Sequence, residues 1–442
     1  MARVYIETYG CALAQFDSSL MAETLRGRGH ELVGEPGEAD VLVVNTCAVR
    51  LDTEQRIAKR LRELQALYPG KRLVVAGCLA AARPGLVARV APGASMVSPQ
   101  RAHEVWRAVE SGGRLVLLGG SRDTSWMPVP PVAYAVATVM VQEGCLGDCS
   151  FCITKKARRA VRSYPPRLVV EVVRRLVERG AREIRLTGQD TAAYGVDLPG
   201  RPTLADLIAA ILEKVPGEYR LRVGMMTPEQ AMEIVDDLLD VYSDPRVYKF
   251  FHLPVQSGSD RVLRVMNRRY TVSDYVWLAS RVRSRYPDSM LATDIIVGHP
   301  GEGEEDFEAT LELVRRLEFD RVHVAQYTLR PHTRSAAMPQ LPDSVKKERS
   351  TRLMRVVEEV GLRRHSRYVG TTQRALVAGR AYRPGSGVAR LDNYYPVVIP
   401  WRPSLLGRWV AVRVTSATFY DLRGEPLEAP AGGGAATAST AS

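Results

Sequence analysis

No apolar run in this 442-residue sequence approaches the roughly 18 residues that a membrane-spanning helix requires, so a helical membrane protein is excluded. The opening MARVYIETYG lacks the charged and then apolar pattern of a secretory leader and reads as a strand, which points to a cytoplasmic protein. Cysteine is scarce: six in the whole chain, far too few for a disulfide-built scaffold and better suited to reduced ligands or nucleophiles. Lysine is scarce as well, with eight residues, so arginine supplies most of the positive charge. No internal repeat is found.

What is present is ordinary globular material with a basic excess. Hydrophobic residues make up 45% and charged residues 25%, and at roughly 150 residues per domain the length implies about three domains. Sixty-one Lys+Arg against 49 Asp+Glu leave +12, a balance that suits a polyanionic partner, RNA or DNA.

Cys145, Cys149 and Cys152 form C-x3-C-x2-C within EGCLGDCSFCITKKARRA. Three thiolates in so short a loop can hold three irons of a cubane and leave the fourth open to a ligand. Zinc is the competing reading, yet no fourth cysteine or nearby histidine completes a tetrahedral set, His103 and His252 being the closest. Cys11, Cys47 and Cys78 are widely spaced, but each terminates an apolar run (VYIETYGC, VLVVNTC, LVVAGC) followed by a helical pattern. Ligands gather beyond the carboxyl ends of parallel strands, so these three thiols are expected to converge as a second iron–sulfur site. Three unrelated core cysteines are the alternative.

The expected organisation is α/β. Residues 1–120 form a doubly wound parallel sheet with strands near Arg3, Ala39, Lys71 and Ala94, and the proline-rich segment 121–132 is a linker. Residues 133–365 hold six βα units, a partial (β/α)6 barrel with its chemistry at the C-terminal strand ends. Residues 369–428 read as a small β-barrel with eight arginines against four acids. Tyr382, Tyr394, Tyr395, Trp401, Trp409 and Tyr420 interleave there, either as base-stacking surfaces or as core. The tail 429–442 is expected to be disordered. The run 155–167, with Lys155, Lys156, Arg158 and Arg159 leading six cations and no acid, suits a phosphate track, a solvated charged face being the bland reading.

TYGC (8–11), NTC (45–47), GC (77–78), the cysteine triplet, HLPVQSGSDRVLRVMNRRYT (252–271), TDIIVGHPGE (293–302) and the terminal barrel together resemble the radical S-adenosylmethionine methylthiotransferases, the last part resembling a TRAM domain. GCLGDCSFCITKKAR and LTGQDTAAYG resemble the archaeal and eukaryotic branch acting on N6-threonylcarbamoyladenosine beside the tRNA anticodon. The resemblance implies two 4Fe–4S clusters, one on Cys145, Cys149 and Cys152 and an auxiliary one on Cys11, Cys47 and Cys78, with S-adenosylmethionine on the open iron of the first. It implies hydrogen abstraction at adenine C2 by the 5′-deoxyadenosyl radical, sulfur insertion, and methylation from a second S-adenosylmethionine.

By position in the motifs, Gly188, Gln189, Asp190, Gln256, Ser257 and Asp294 are implied cofactor contacts, while His252 and His299 are expected to be packing residues. The implied partners are the tRNA anticodon stem-loop, an electron donor and a sulfur source; neither a membrane nor DNA is expected. Ala14, Ala160 and His299 depart from the family pattern of Asn, Gly and Phe without touching a cluster ligand. Competing functions are thiomethylation of isopentenyladenosine tRNA or of a ribosomal-protein side chain and, from another class, a non-catalytic iron–sulfur RNA-binding protein.

Overall fold

The computed structural model describes residues 1–427. The expected disordered tail, and the final residue of the range 369–428, lie outside the described residues.

The N-terminal sheet contains β1 (Arg3–Thr8), β2 (Glu31–Val33), β3 (Val41–Thr46), β4 (Arg72–Gly77), β5 (Ser95–Val97) and β6 (Val116–Leu117), all parallel, in the order β2-β1-β3-β4-β5-β6. β3 is buried at every position because helices cover both faces. Val41 and Val43 pack with Leu20, Met21 and Leu25 of the helix Ala12–Gly27. Leu42 and Val44 pack on the opposite side with Ile57, Leu61 and Leu64 of the helix Leu51–Leu67. This is the expected doubly wound sheet with two short additions, β2 and β6, that the sequence reading did not include.

The segment after β6 has no regular structure to Ala135 but is not loose, since it carries the fully buried Arg122. Six parallel strands follow: β7 (Val136–Met140), then, after the antiparallel pair β8 (Gln142–Glu143) and β9 (Arg162–Ser163), β10 (Glu183–Thr187), β11 (Arg220–Val223), β12 (Phe250–His252), β13 (Met290–Val297) and β14 (Arg321–Gln326). β7-β10-β11 and β12-β13-β14 form two triplets, joined by parallel bridges from Leu221 to Val247 and from Met225 to His252. Among the described residues no bridge closes β14 onto β7, which leaves the expected partial barrel of six strands.

Its outer helices start where their sequences say they should. Pro166 opens Pro166–Glu178, and Thr203 with Asp206, and Thr271 with Asp274, make capping boxes for Leu204–Lys214 and Val272–Arg285.

After the helix Asp343–Ser366, β15 (Thr372–Arg380), β16 (Ser386–Leu391), β17 (Pro396–Pro400), β18 (Trp409–Ala417) and β19 (Leu422–Pro426) close a barrel in the order β15-β16-β17-β19-β18. Its apolar core is shared with Tyr248, Phe250, Met290 and Ala292 of the central strands. The interleaved aromatics therefore divide: Tyr394 and Tyr395 are buried core, Trp401 and Trp409 half-buried, and Tyr382 and Tyr420 exposed. No helix among the described residues is long and apolar enough to cross a membrane.

Candidate functional site

Cys47 and Cys78 follow directly on β3 and β4 and Cys11 lies three residues past the end of β1, the three strands being neighbours in the sheet. Thr8 lies opposite Asn45 and Thr46 opposite Gly77, so register alone brings the three thiols to one edge. Strand order reverses between β1 and β3, the switch point where doubly wound sheets hold ligands. Packing there is tight: a Cβ on Gly10 would lie 2.9 Å from the Cys47 Cβ, and the residue has φ 126°, a conformation that side chains avoid. Ala14 backs this corner, its carbonyl accepting from Asn45 Nδ2 at 2.7 Å. Burial pushes the Cys78 thiol up to about 11, with Cys11 and Cys47 adding to the rise and Arg158 opposing it. Burial raises Cys47 as well, Cys11 adding to it. Thiols that repel one another as thiolates are suited to a shared polycationic centre.

The triplet sits in the loop between β8 and β9. Gly144, at φ 83°, turns the chain into it, and a Cβ there would meet the Ala160 carbonyl at 1.9 Å. A Cβ on Gly147 would stand 3.4 Å from Cys145 Sγ and 3.8 Å from Cys149 Sγ, so the bare glycine leaves the space beside both sulfurs open. Burial pushes Cys145 up to about 12, with Asp190, Cys149 and Cys152 adding to it, and burial likewise raises Cys152. Cys145 Sγ accepts from the Gly147 amide at 3.3 Å, and Cys149 Sγ from Arg268 Nη1 at 3.2 Å. Donors aimed at sulfur, a glycine cradle and three thiols repelling one another fit an iron–sulfur cluster with an open position.

The two sets of thiols share one wall. Ile153, next to Cys152, and Ala157 belong to the same apolar cluster as Cys47 and Cys78. Arg158 continues that segment into a buried network in which it pairs with Asp17 and Glu143, and Arg122 pairs with the same two acids. From the opposite rim, Arg330 donates to the Ala48 carbonyl at 2.7 Å and pairs with Glu54.

The strand-end residues take different parts. Gly188 is buried against the Gln142 side chain, and Gln189 Oε1 accepts from the Gly144 amide at 2.7 Å, holding the loop ahead of Cys145. Asp190 is fully buried and accepts from the Thr227 amide and hydroxyl; burial nevertheless pushes it up to about 6. Gln256, at φ 70°, has a buried Oε1 without a partner among the described residues. Asp294 accepts from His252 Nε2 at 3.0 Å; burial raises its carboxyl, but His252, His323 and Arg268 outweigh that and hold it low. His299 is a packing residue as expected, buried, with Nε2 3.2 Å from Ser150 Oγ and its ring edge-on to Phe151 and Tyr327.

Ser257 is buried, with its hydroxyl accepting from the Ser259 amide and facing Thr310. One expectation is corrected. Arg158 is no phosphate contact, because its side chain is 1% exposed and consumed by the ion network. Lys156 and Arg159 are exposed, whereas Lys155 is half-buried and donates to the Cys145 carbonyl. The sequence reading also missed Arg268, which touches Cys149; it lies within the motif 252–271, and only its place next to Asn267 in NRRYT could have marked it.

Known proteins resemble this chain along nearly its whole length. Residues 139–314 match the Radical SAM superfamily, residues 3–98 the Uncharacterized protein family UPF0004 and residues 366–427 the TRAM domain. The chain is 37% identical over 436 residues, covering 97% of itself and 100% of the relative, to a probable threonylcarbamoyladenosine tRNA methylthiotransferase of Pyrococcus abyssi. It is also 37% identical, over 96% of itself and 91% of the relative, to a tRNA-2-methylthio-N(6)-dimethylallyladenosine synthase of Chloroflexus aurantiacus. Among solved structures, the radical S-adenosylmethionine methyltransferase TsrM from Kitasatospora setae shares the fold, with a TM-score of 0.57 at 15% identity and 76% of each chain covered.

Proposed function

The chain belongs to the radical S-adenosylmethionine methylthiotransferases that modify tRNA, and from that premise we infer that it converts N6-threonylcarbamoyladenosine at position 37, beside the anticodon, to its 2-methylthio derivative. The observation that carries the reading is the pairing of two three-thiol sites across the segment 153–158. An aromatic C–H has no acid–base route to sulfur, so a radical centre and a sulfur-bearing centre must work on one substrate atom.

Cys145, Cys149 and Cys152 would hold one 4Fe–4S cluster and Cys11, Cys47 and Cys78 a second. When bound, these groups supply the electron that cleaves S-adenosylmethionine and the sulfur that is inserted. The chain's own residues orient and shield. Gln189 fixes the entry to the triplet loop, Arg268 places a cation and an N–H against Cys149, and Asp190 holds Thr227 at the start of the next helix. Ile153 and Ala157 keep the wall between the two sites apolar and water out of it. The exposed Lys156 and Arg159 lie beside the triplet, where they can meet the anticodon stem-loop. A low-potential electron donor, a sulfur source and a cytoplasmic location complete the reading.

A non-catalytic iron–sulfur RNA-binding protein would not cleave S-adenosylmethionine. Reconstituted, reduced protein is expected to form 5′-deoxyadenosine and to add a methylthio group to threonylcarbamoyl-bearing tRNA, read by nucleoside mass spectrometry; cleavage without that adduct on tRNA would overturn the assignment. The Chloroflexus aurantiacus relative keeps one second reading in view, with dimethylallyladenosine as the substrate nucleoside.

A further inference from the structure

The β10–β11 wall of the partial barrel holds more positive charge than the carboxylate beside it neutralises, the Asp294 carboxylate across the lumen being engaged by His252. Arg185 on β10 and Arg222 on β11 are register partners on adjacent parallel strands, so two guanidinium-bearing side chains start one strand spacing apart. A single carboxylate serves them: Glu183, fully buried, which pairs with Arg185 and accepts from the Tyr394 hydroxyl at 3.1 Å. Arg222 makes neither a hydrogen bond nor an ion pair among the described residues, and its Nε is buried without a partner. Its guanidinium rests instead 4.6 Å from the Phe250 ring and 5.7 Å from the Tyr394 ring. Arg390 lies over the same Tyr394 ring at 4.5 Å. Arg185, Arg380 and Arg390 also line a cavity of about 340 Å³ beside Thr138. Like charges crowded in a partly desolvated space call for an anion.

We propose that Arg222, with Arg185 beside it, receives the carboxylate of the threonyl arm and so selects threonylcarbamoyladenosine over dimethylallyladenosine. This rests on the proposed tRNA reaction. Scale agrees with it: Arg222 stands two residues before Gly224 at the strand end, roughly 7 Å down the lumen. The threonyl arm runs roughly 6 Å from the adenine N6 to its carboxylate. A dimethylallyl group has no charge to offer, and binding it would leave the lumen's excess cation uncompensated.

The test uses the reconstituted holoenzyme and three anticodon stem-loops that differ only at the modified adenine: the threonylcarbamoyl form, its threonine amide, and the dimethylallyl form. Both kcat/KM for methylthio product and Kd without reductant are measured. The wild-type protein is expected to favour the carboxylate over the amide by about 10- to 100-fold, the range of a charge-assisted pair. Arg222→Met should shrink that ratio to within about threefold, and Arg222→Lys should restore part of it. A wild-type ratio near one overturns the proposal without any variant. Equal losses on both substrates in Arg222→Met also overturn it, assigning Arg222 to an RNA phosphate or to packing. No methylthio product on any of the three RNAs, with 5′-deoxyadenosine still formed, would instead bring down the tRNA reading beneath it.

Discussion

Arg158 reaches Asp17 across 141 residues of sequence, and both side chains are buried. The first comes from the segment after the cysteine triplet and the second from the helix that follows Cys11, so this pair fixes one thiol site against the other. Glu143 and Arg122 complete a neutral set of two cations and two carboxylates. Arg158 also lies against Cys78 and favours its thiolate. A residue in this place is a strut between the two thiol sites.

Removing one carboxylate from that set should therefore be costly. Asp17→Asn leaves Arg122 and Arg158 to share Glu143, and breaking a buried ion pair from one side costs about 3–5 kcal/mol. The exposed pair of Arg174 with Glu171 is the control, where solvent screens the charges and Arg174→Gln should change stability far less. Thermal and urea unfolding of the two variants measure the contrast; equal effects would deny the network its structural weight.

The thiol sites should separate in their functions. Replacing Cys11, Cys47 and Cys78 together by Ser is expected to remove about half the bound iron and all methylthio product, while 5′-deoxyadenosine formation persists. Ser at Cys145, Cys149 or Cys152 should abolish both. Iron analysis with product chromatography reads the outcome, and methylthio product from the first variant would exclude the auxiliary role.

Much of this was legible from runs of residues. VLVVNT reads as a strand covered on both faces because every position is apolar or at a strand end, and the cysteines that close such runs converge as parallel register requires. β2 and β6, with three and two residues, carry too little pattern to be seen. Arg158 misled because its neighbours in sequence are exposed cations while its partners come from Asp17 and Glu143. A polar residue at a strand end, such as Ser257, looks the same in sequence whether it caps a loop or meets a ligand. The lumen charge was hidden because Arg185 and Arg222 become neighbours only through strand pairing.

Arg268 touches Cys149 with a cation and an N–H donor. Both favour the more negative, reduced state of a cluster held there, so Arg268→Met is expected to lower the cluster's reduction potential and slow S-adenosylmethionine cleavage roughly tenfold. Redox titration followed by electron paramagnetic resonance checks the first, and 5′-deoxyadenosine formation the second. An unchanged potential would leave Arg268 as packing against Tyr270 and Pro254.

His299 ties the triplet loop to the turn after β13, and burial pushes its pKa down to about 4 from 6.5. The unfolded chain thus binds a proton between pH 6.5 and pH 4 that the folded one refuses. Stability from this group is complete above pH 6.5 and is lost as pH falls towards 4, by on the order of 3 kcal/mol. His299→Phe fills the same apolar place beside Phe151 and Tyr327 without a titrating ring. Its melting temperature should fall less than that of the wild type between those pH values; parallel curves would assign the acid sensitivity elsewhere.

The basic run after the triplet divides into residues of different kinds, and salt dependence can tell them apart. Lys156 and Arg159 are exposed, so each can release a counterion on meeting a phosphate, whereas Arg158 is closed inside the protein. Lys156→Gln with Arg159→Gln should weaken stem-loop binding and lower the slope of log Kd against log salt by about two, one for each lost contact. The weakening should be similar with and without the threonylcarbamoyl group, because phosphate contacts carry no information about the base. Arg158→Gln should instead lower the melting temperature and leave the slope of the folded fraction unchanged. A slope unaltered in the double variant would move the RNA track off this run, with the terminal barrel around the exposed Tyr382 the next surface to test.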